Sequence, residues 1–167
     1  MTMPDGDRVL LSRLVGNWEG TLSVCAGAGR PCRDVPGTSE NRWVLGGRFV
    51  EMTLRAGGSA DPWSAVFYIG HDGGERRHVL ISLDANDRRV TMRLGEWTGK
   101  PGQVVLTSEH ARARCELTSS DLLKVQLVEQ IGPEKEFVRF AGDYRRSIEA
   151  VRSPDVSARR ERRFVIA

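Results

Sequence analysis

The stretch HARARCEL, His110 to Leu117, sets Ala111, Ala113, Cys115 and Leu117 against His110, Arg112, Arg114 and Glu116. A period of two is the mark of a β-strand with one packed face and one wet face. Working outward, the same alternation returns in VTMRLG, where Val90, Met92 and Leu94 oppose Thr91, Arg93 and Gly95, and in LLKVQLVEQI, where Leu123, Val125 and Leu127 oppose Lys124 and Gln126. Strand signals recur from Trp18 to Tyr144, broken by Gly, Pro and Asp/Asn clusters such as HDGGERR and DANDR, whose residues tolerate tight reversals. The pattern predicts an all-β antiparallel meander of about 8 to 10 strands, and closing such a sheet into a barrel removes its exposed edges. A β-sandwich is the competing architecture, but short links favour simple neighbours over Greek-key crossovers.

Ahead of the first strand, Val9, Leu10, Arg13 and Leu14 fall at helical spacing behind Asp5 and Asp7, which could cap a short helix closing one end. A chain of 167 residues, 40% hydrophobic, suffices for one well-packed domain, taken as residues 1–146, followed by a basic tail, 147–167, in which Arg159, Arg160, Arg162 and Arg163 cluster. The net charge of +3 comes mostly from scattered arginine, with lysine only at Lys100, Lys124 and Lys135. No nucleic-acid-binding signature accompanies it, so no nucleic-acid partner is expected. The opening residues lack a signal-peptide pattern and no apolar run is long enough for a membrane-spanning helix, which points to a cytoplasmic protein without a membrane partner. That setting predicts free thiols at Cys25 and Cys32, although a local disulfide is geometrically conceivable across the six residues between them. Zinc is not expected, because the cysteine pair is not a CxxC and the three histidines lie in separate segments.

The glycine, one residue, then tryptophan of LVGNW, behind a short helix, resembles the entry to lipocalin-like (calycin) β-barrels. More narrowly, LVGNW, LGGRF at Leu45 to Phe49, GHD at Gly70 to Asp72 and DYRR at Asp143 to Arg146 resemble a bacterial family of unknown function. Its pattern reads Leu-Val-Gly-x-Trp, Leu-Gly-Gly-Arg-Phe, Gly-Tyr-Asp and a last strand ending Tyr-x-Arg. The resemblance implies a lipocalin-like barrel in which Trp18 plugs the closed end under an arginine of the last strand, Arg145 or Arg139. Gly46 and Gly47 read as a hairpin turn rather than a phosphate cradle, because no P-loop pattern follows.

Departures from the family pattern carry the functional candidates. His71 stands where the family has tyrosine, and His78 and Ser82 precede Asp84 where aromatic residues are usual. His78, Leu80, Ser82 and Asp84 share one strand face, whereas burial alone gives the apolar set Val79, Ile81 and Leu83 the better claim to the interior. Glu51, Glu96, Glu129 and Arg139 interrupt apolar surroundings, and a buried carboxylate would gain a raised pKa suited to acid–base work. Trp43, Met52, Trp63, Phe67, Met92 and Phe137 supply aromatic and thioether surfaces for a cavity wall, with Ser82 and Arg139 as its polar contacts.

These residues predict binding of a small, largely apolar or aromatic molecule. The alternative is a barrel enzyme of cyclase, isomerase or lyase type, with His78 or Glu51 as acid–base group. Haem, held by His71, His78 or His110, is a minor reading: no histidine follows His110, and the glycine-rich continuation with Tyr-Pro that follows the tryptophan in related haem-binding barrels is missing after Trp18. No other cofactor is expected, and self-association through an outer sheet face as a homodimer is compatible with the sequence.

Overall fold

The computed structural model describes residues 5–25, 27–57, 62–72, 77–84, 90–95, 103–108, 111–130 and 135–148. Glu96, His110 and the tail from residue 149 onward lie outside the described residues. Helix α1 (Asp5–Leu14) precedes ten strands: β1 (Gly16–Cys25), β2 (Cys32–Val44), β3 (Phe49–Ala56), β4 (Trp63–Asp72), β5 (Arg77–Asp84), β6 (Val90–Gly95), β7 (Gln103–Ser108), β8 (Ala111–Leu117), β9 (Leu122–Gln130) and β10 (Glu136–Arg146). They form one antiparallel sheet in the order β6-β5-β4-β3-β2-β1-β10-β9-β8-β7. The sheet curls into a half-barrel that brings its end strands, β6 and β7, alongside each other. The meander with a short N-terminal helix read from the alternation is the observed fold.

The period of two sorts the faces as the sequence suggests in β8 and β9, where Ala111, Ala113, Leu117, Leu123, Val125 and Leu127 are buried while Arg112, Arg114 and Lys124 are exposed. In α1 the buried residues are Leu10, Leu11 and Leu14, and Val9 turns to solvent. Val9 therefore leaves the expected apolar stripe and Leu11 takes its place. The turn between β2 and β3 runs through Leu45, Gly46 and Gly47 at φ of 51°, 68° and 78°, a left-handed path that suits glycine and makes these glycines turn residues.

Helix α1 is pinned by side chains that converge on its last carbonyl, that of Leu14. Trp18 Nε1 donates to Leu14 O at 2.9 Å, and Asn41 Nδ2 donates to the same oxygen at 2.9 Å while Ser39 Oγ donates to Asn41 Oδ1 at 2.6 Å. These bonds satisfy polar groups that the helix end would otherwise leave buried and unpaired. Trp18 is fully buried, as a plug requires, but the arginine stacked on it is Arg146, its cross-strand partner, rather than Arg145 or Arg139.

At the opposite end of β1, Cys25 and Cys32 are directly paired across the β1–β2 ladder and joined in a disulfide. This corrects the expectation of free thiols: the hairpin register delivers the two cysteines to one cross-strand position, which composition alone does not reveal.

Candidate functional site

The concave interior is built in cross-strand rows, because residues directly opposite in an antiparallel ladder share a face. One row runs Val50, Ile69, Leu80, and the next runs Asn41, Met52, Phe67, Ser82. The β5 residues in these rows settle which face of that strand turns inward. Leu80 is 2% exposed and belongs to the main core, with His78 and Ser82 buried on the same face, whereas Val79, though buried, stands outside that core and Leu83 is 37% exposed. Burial by apolarity alone therefore fails here, and the face carrying an imidazole and a hydroxyl is the inner one. The side chain of Asp84 is outside the described set.

Three aromatic rings meet in the interior, one of them Phe67, the cross-strand partner of Ser82. Phe140 of β10 lies 5.5 Å from Trp63 and 5.6 Å from Phe67 between ring centroids, with tilts of 54° and 57°, tilted arrangements of the kind aromatic pairs favour. The ring in the wall is Phe140, not the expected Phe137. The cause is a bulge: Val138 pairs with Val128 but Phe140 pairs with Leu127, leaving Arg139 as the extra residue. Such an insertion breaks the period of two. Counting back by twos from Tyr144 through Gly142 reaches Phe140, so the signal was present in the sequence from the other end. Phe137 is half-buried opposite Glu129 and stands outside the main core.

The other candidates divide. Met52, Trp63 and Phe67 are buried on the inner face. Trp43 is half-buried against the core, with the Arg8 guanidinium 5.8 Å from its ring centroid. Met92 is placed on β6 opposite Ile81, and its side chain is outside the described set. Arg139 sits at the bulge, half-buried, and both it and Glu129 take part in polar or ring interactions.

Glu51 leaves the interior altogether. It falls between the inward Val50 and Met52 on β3, opposite Arg42 on one side and Tyr68 on the other. Arg42 Nε and Nη2 approach its Oε1 at 2.8 and 2.7 Å. The hydrogen bond between Tyr68 and Glu51, with burial next, holds the phenol above its ordinary pKa, and the carboxylate holds Arg42 even more firmly protonated. The expectation of an interior acid–base carboxylate at Glu51 is corrected: this carboxylate belongs to an outer-face ion pair.

Between Met52, Leu54, Phe67, Leu80, Leu127 and Phe140 the interior keeps a void of about 20 Å³, room for about one water molecule. A larger groove of about 690 Å³, open to solvent, runs past Glu19, Thr38, Arg55 and Ser64, which form one polar register row. Cys115 is no nucleophile, because burial pushes its thiol up to about 12. Among the described residues no group of three or more His, Cys, Asp or Glu side chains could hold a metal ion, and no helix is long and apolar enough to cross a membrane.

The fold has solved counterparts. Rv2717c from M. tuberculosis is similar over 87% of this chain and 99% of its own, with a TM-score of 0.64 at 14% identity. The S-type phycobiliprotein lyase CPES from Guillardia theta is similar over 86% of this chain and 94% of its own, with a TM-score of 0.55 at 14% identity. Both likenesses are to the curled antiparallel sheet, consistent with a lipocalin-like fold. No curated protein matches the sequence. The family model of DUF1579, described as a protein of unknown function, matches residues 3–125, and the chain belongs to that family.

Proposed function

We propose that this protein binds a small, largely apolar or aromatic molecule in the concave interior of its sheet. The observation that carries the reading is the burial of Ser82 opposite Phe67, a member of the Trp63–Phe140–Phe67 cluster, with His78 buried further along the same face of β5. Apolar walls with a few convergent polar groups are the usual make-up of ligand sites. The void of about 20 Å³ is smaller than any such ligand, so binding requires the interior side chains to repack around it, with Phe67 and Phe140 as part of the wall. The similarity to a protein whose name is phycobiliprotein lyase supports a small-molecule role for the same sheet.

A second reading, a reaction chamber for cyclisation, isomerisation or elimination, is favoured by the burial of His78, whose imidazole turns a proton-donating and a proton-accepting nitrogen to the interior. Glu51 has no part in it.

Native mass spectrometry of the gently purified protein against its denatured mass tests the proposal. A discrete extra mass, lost from a Phe67→Ala, Phe140→Ala double variant that still folds, supports interior binding. A bare mass, together with no saturable quenching of tryptophan fluorescence by apolar aromatic probes, overturns it. Binding retained with turnover lost in His78→Ala would assign the chamber.

A further inference from the structure

We propose that His71 and His78 form a two-imidazole site for a divalent transition-metal ion of the Cu²⁺, Ni²⁺ or Zn²⁺ class. The two residues are directly opposite on the β4–β5 ladder. Their parity puts both on the inner face, His71 two positions beyond the inward Ile69 and His78 two before the inward Leu80. The rings meet edge to face, centroids 5.4 Å apart and planes at 74°.

That spacing suits a shared ion. A metal about 2.0–2.1 Å from an imidazole nitrogen lies about 3.2 Å from the ring centroid, so centroids 5.4 Å apart fall within the span that two rings sharing one ion can have once their nitrogens turn toward it. His71 Nδ1 is a buried nitrogen with no hydrogen-bond partner among the described residues, an orphan that a metal would satisfy. Imidazole nitrogen selects Zn, Cu and Ni over Mg and Ca, which prefer oxygen.

Adjacent strands fix both donors before the ion arrives, so the pair acts as a chelate. His71 is only half-buried, which leaves a path for entry. With no third protein donor grouped there among the described residues, the remaining coordination positions go to water or an incoming ligand, as in metal sites that keep an open position. The sequence hid this pairing behind the seven-position separation of the two histidines; a cross-strand register turns that separation into contact.

The test is calorimetric titration of the full chain with Cu²⁺ alone and, separately, Zn²⁺ alone at about pH 7.5, where unperturbed imidazole is mostly neutral. One ion per chain is expected. His71→Ala and His78→Ala should each weaken binding about 10²-fold, the scale of a lost chelate arm, while His110→Ala leaves it unchanged. Affinity unchanged in His71→Ala, or lost equally in His110→Ala, overturns the site. Because the buried His78 is at risk of unfolding when truncated, electron paramagnetic resonance of the Cu²⁺-loaded wild-type protein gives a second reading. Coupling to two imidazole nitrogens is expected; coupling to one or none overturns the proposal.

Discussion

The Arg146 guanidinium lies over the Trp18 indole with Cζ 4.2 Å from the ring centroid, while the same side chain donates to Val15 O at 2.7 Å, Arg13 O at 2.8 Å and Ser120 O at 3.1 Å. One residue of the last strand thus ties together the end of the helix, the entry to β1 and the turn before β9. Arg146→Ala is expected to cost about 2 kcal/mol or more, from a cation–π contact and charge-assisted hydrogen bonds that do not add independently. Arg146→Lys should recover less than half of it, because an ammonium cannot stack flat and serve three carbonyls together. Urea denaturation of the three proteins checks both.

Tyr144 is 1% exposed, and its hydroxyl has no hydrogen-bond partner among the described residues. Burial drives its phenol pKa well above the ordinary value. The unfolded chain loses this proton near pH 10 while the folded chain keeps it, so stability is intact below about pH 10 and falls above it, by up to about 1.4 kcal/mol per pH unit. Tyr144→Phe should remove that alkaline loss and leave neutral stability unchanged or improved by about 1 kcal/mol, since an unsatisfied hydroxyl is no longer buried. Thermal melts across the alkaline range read the difference.

Glu51→Gln is expected to change stability by no more than about 1 kcal/mol, the range of an ion pair whose arginine is solvated. It should leave interior ligand binding untouched. Its signature is spectroscopic: without the carboxylate, Tyr68 loses the main cause of its raised pKa, and its ultraviolet titration shifts toward lower pH.

Reducing the Cys25–Cys32 bond should lower stability by about 2 kcal/mol, the loop-closure scale for so short a span. Alkylation without a reductant is expected to leave all three cysteines unlabelled in the native state, two because they are bonded and Cys115 because its thiol stays protonated. Intact mass before and after reduction counts the modified residues.

The strand pattern was legible because alternation is a local property, and in β8 and β9 neighbours on both sides impose the same two faces. The inner face of β5 was not legible from β5. Its more apolar set points outward, and only the partners of β5, Phe67 opposite Ser82 and Ile69 opposite Leu80, reveal the true interior. Arg139 hid Phe140 for a related reason, since one extra residue inverts every later assignment when the count begins at Glu136. The glycine-x-tryptophan setting marks Trp18 as a plug, but a last-strand arginine chosen between Arg139 and Arg145 misses Arg146, because the choice depends on a register that no local pattern states. Glu51 misled because a carboxylate among apolar residues looks the same whether it faces the core or a cross-strand arginine.

The pairing of β1 with β10 has a bearing on how the chain comes to be folded at all. As synthesis proceeds, β1 can acquire β2 at once, yet its other edge stays bare until nearly all of the described chain has emerged. Closing that edge requires the most distant contacts in the molecule, the kind that slow folding. Until then an open backbone edge beside the apolar plug residue is available to any other nascent strand. A chain that stops short of Glu136 therefore loses more than its last strand: it keeps a permanent adhesive edge in the middle of what should have been a continuous wall.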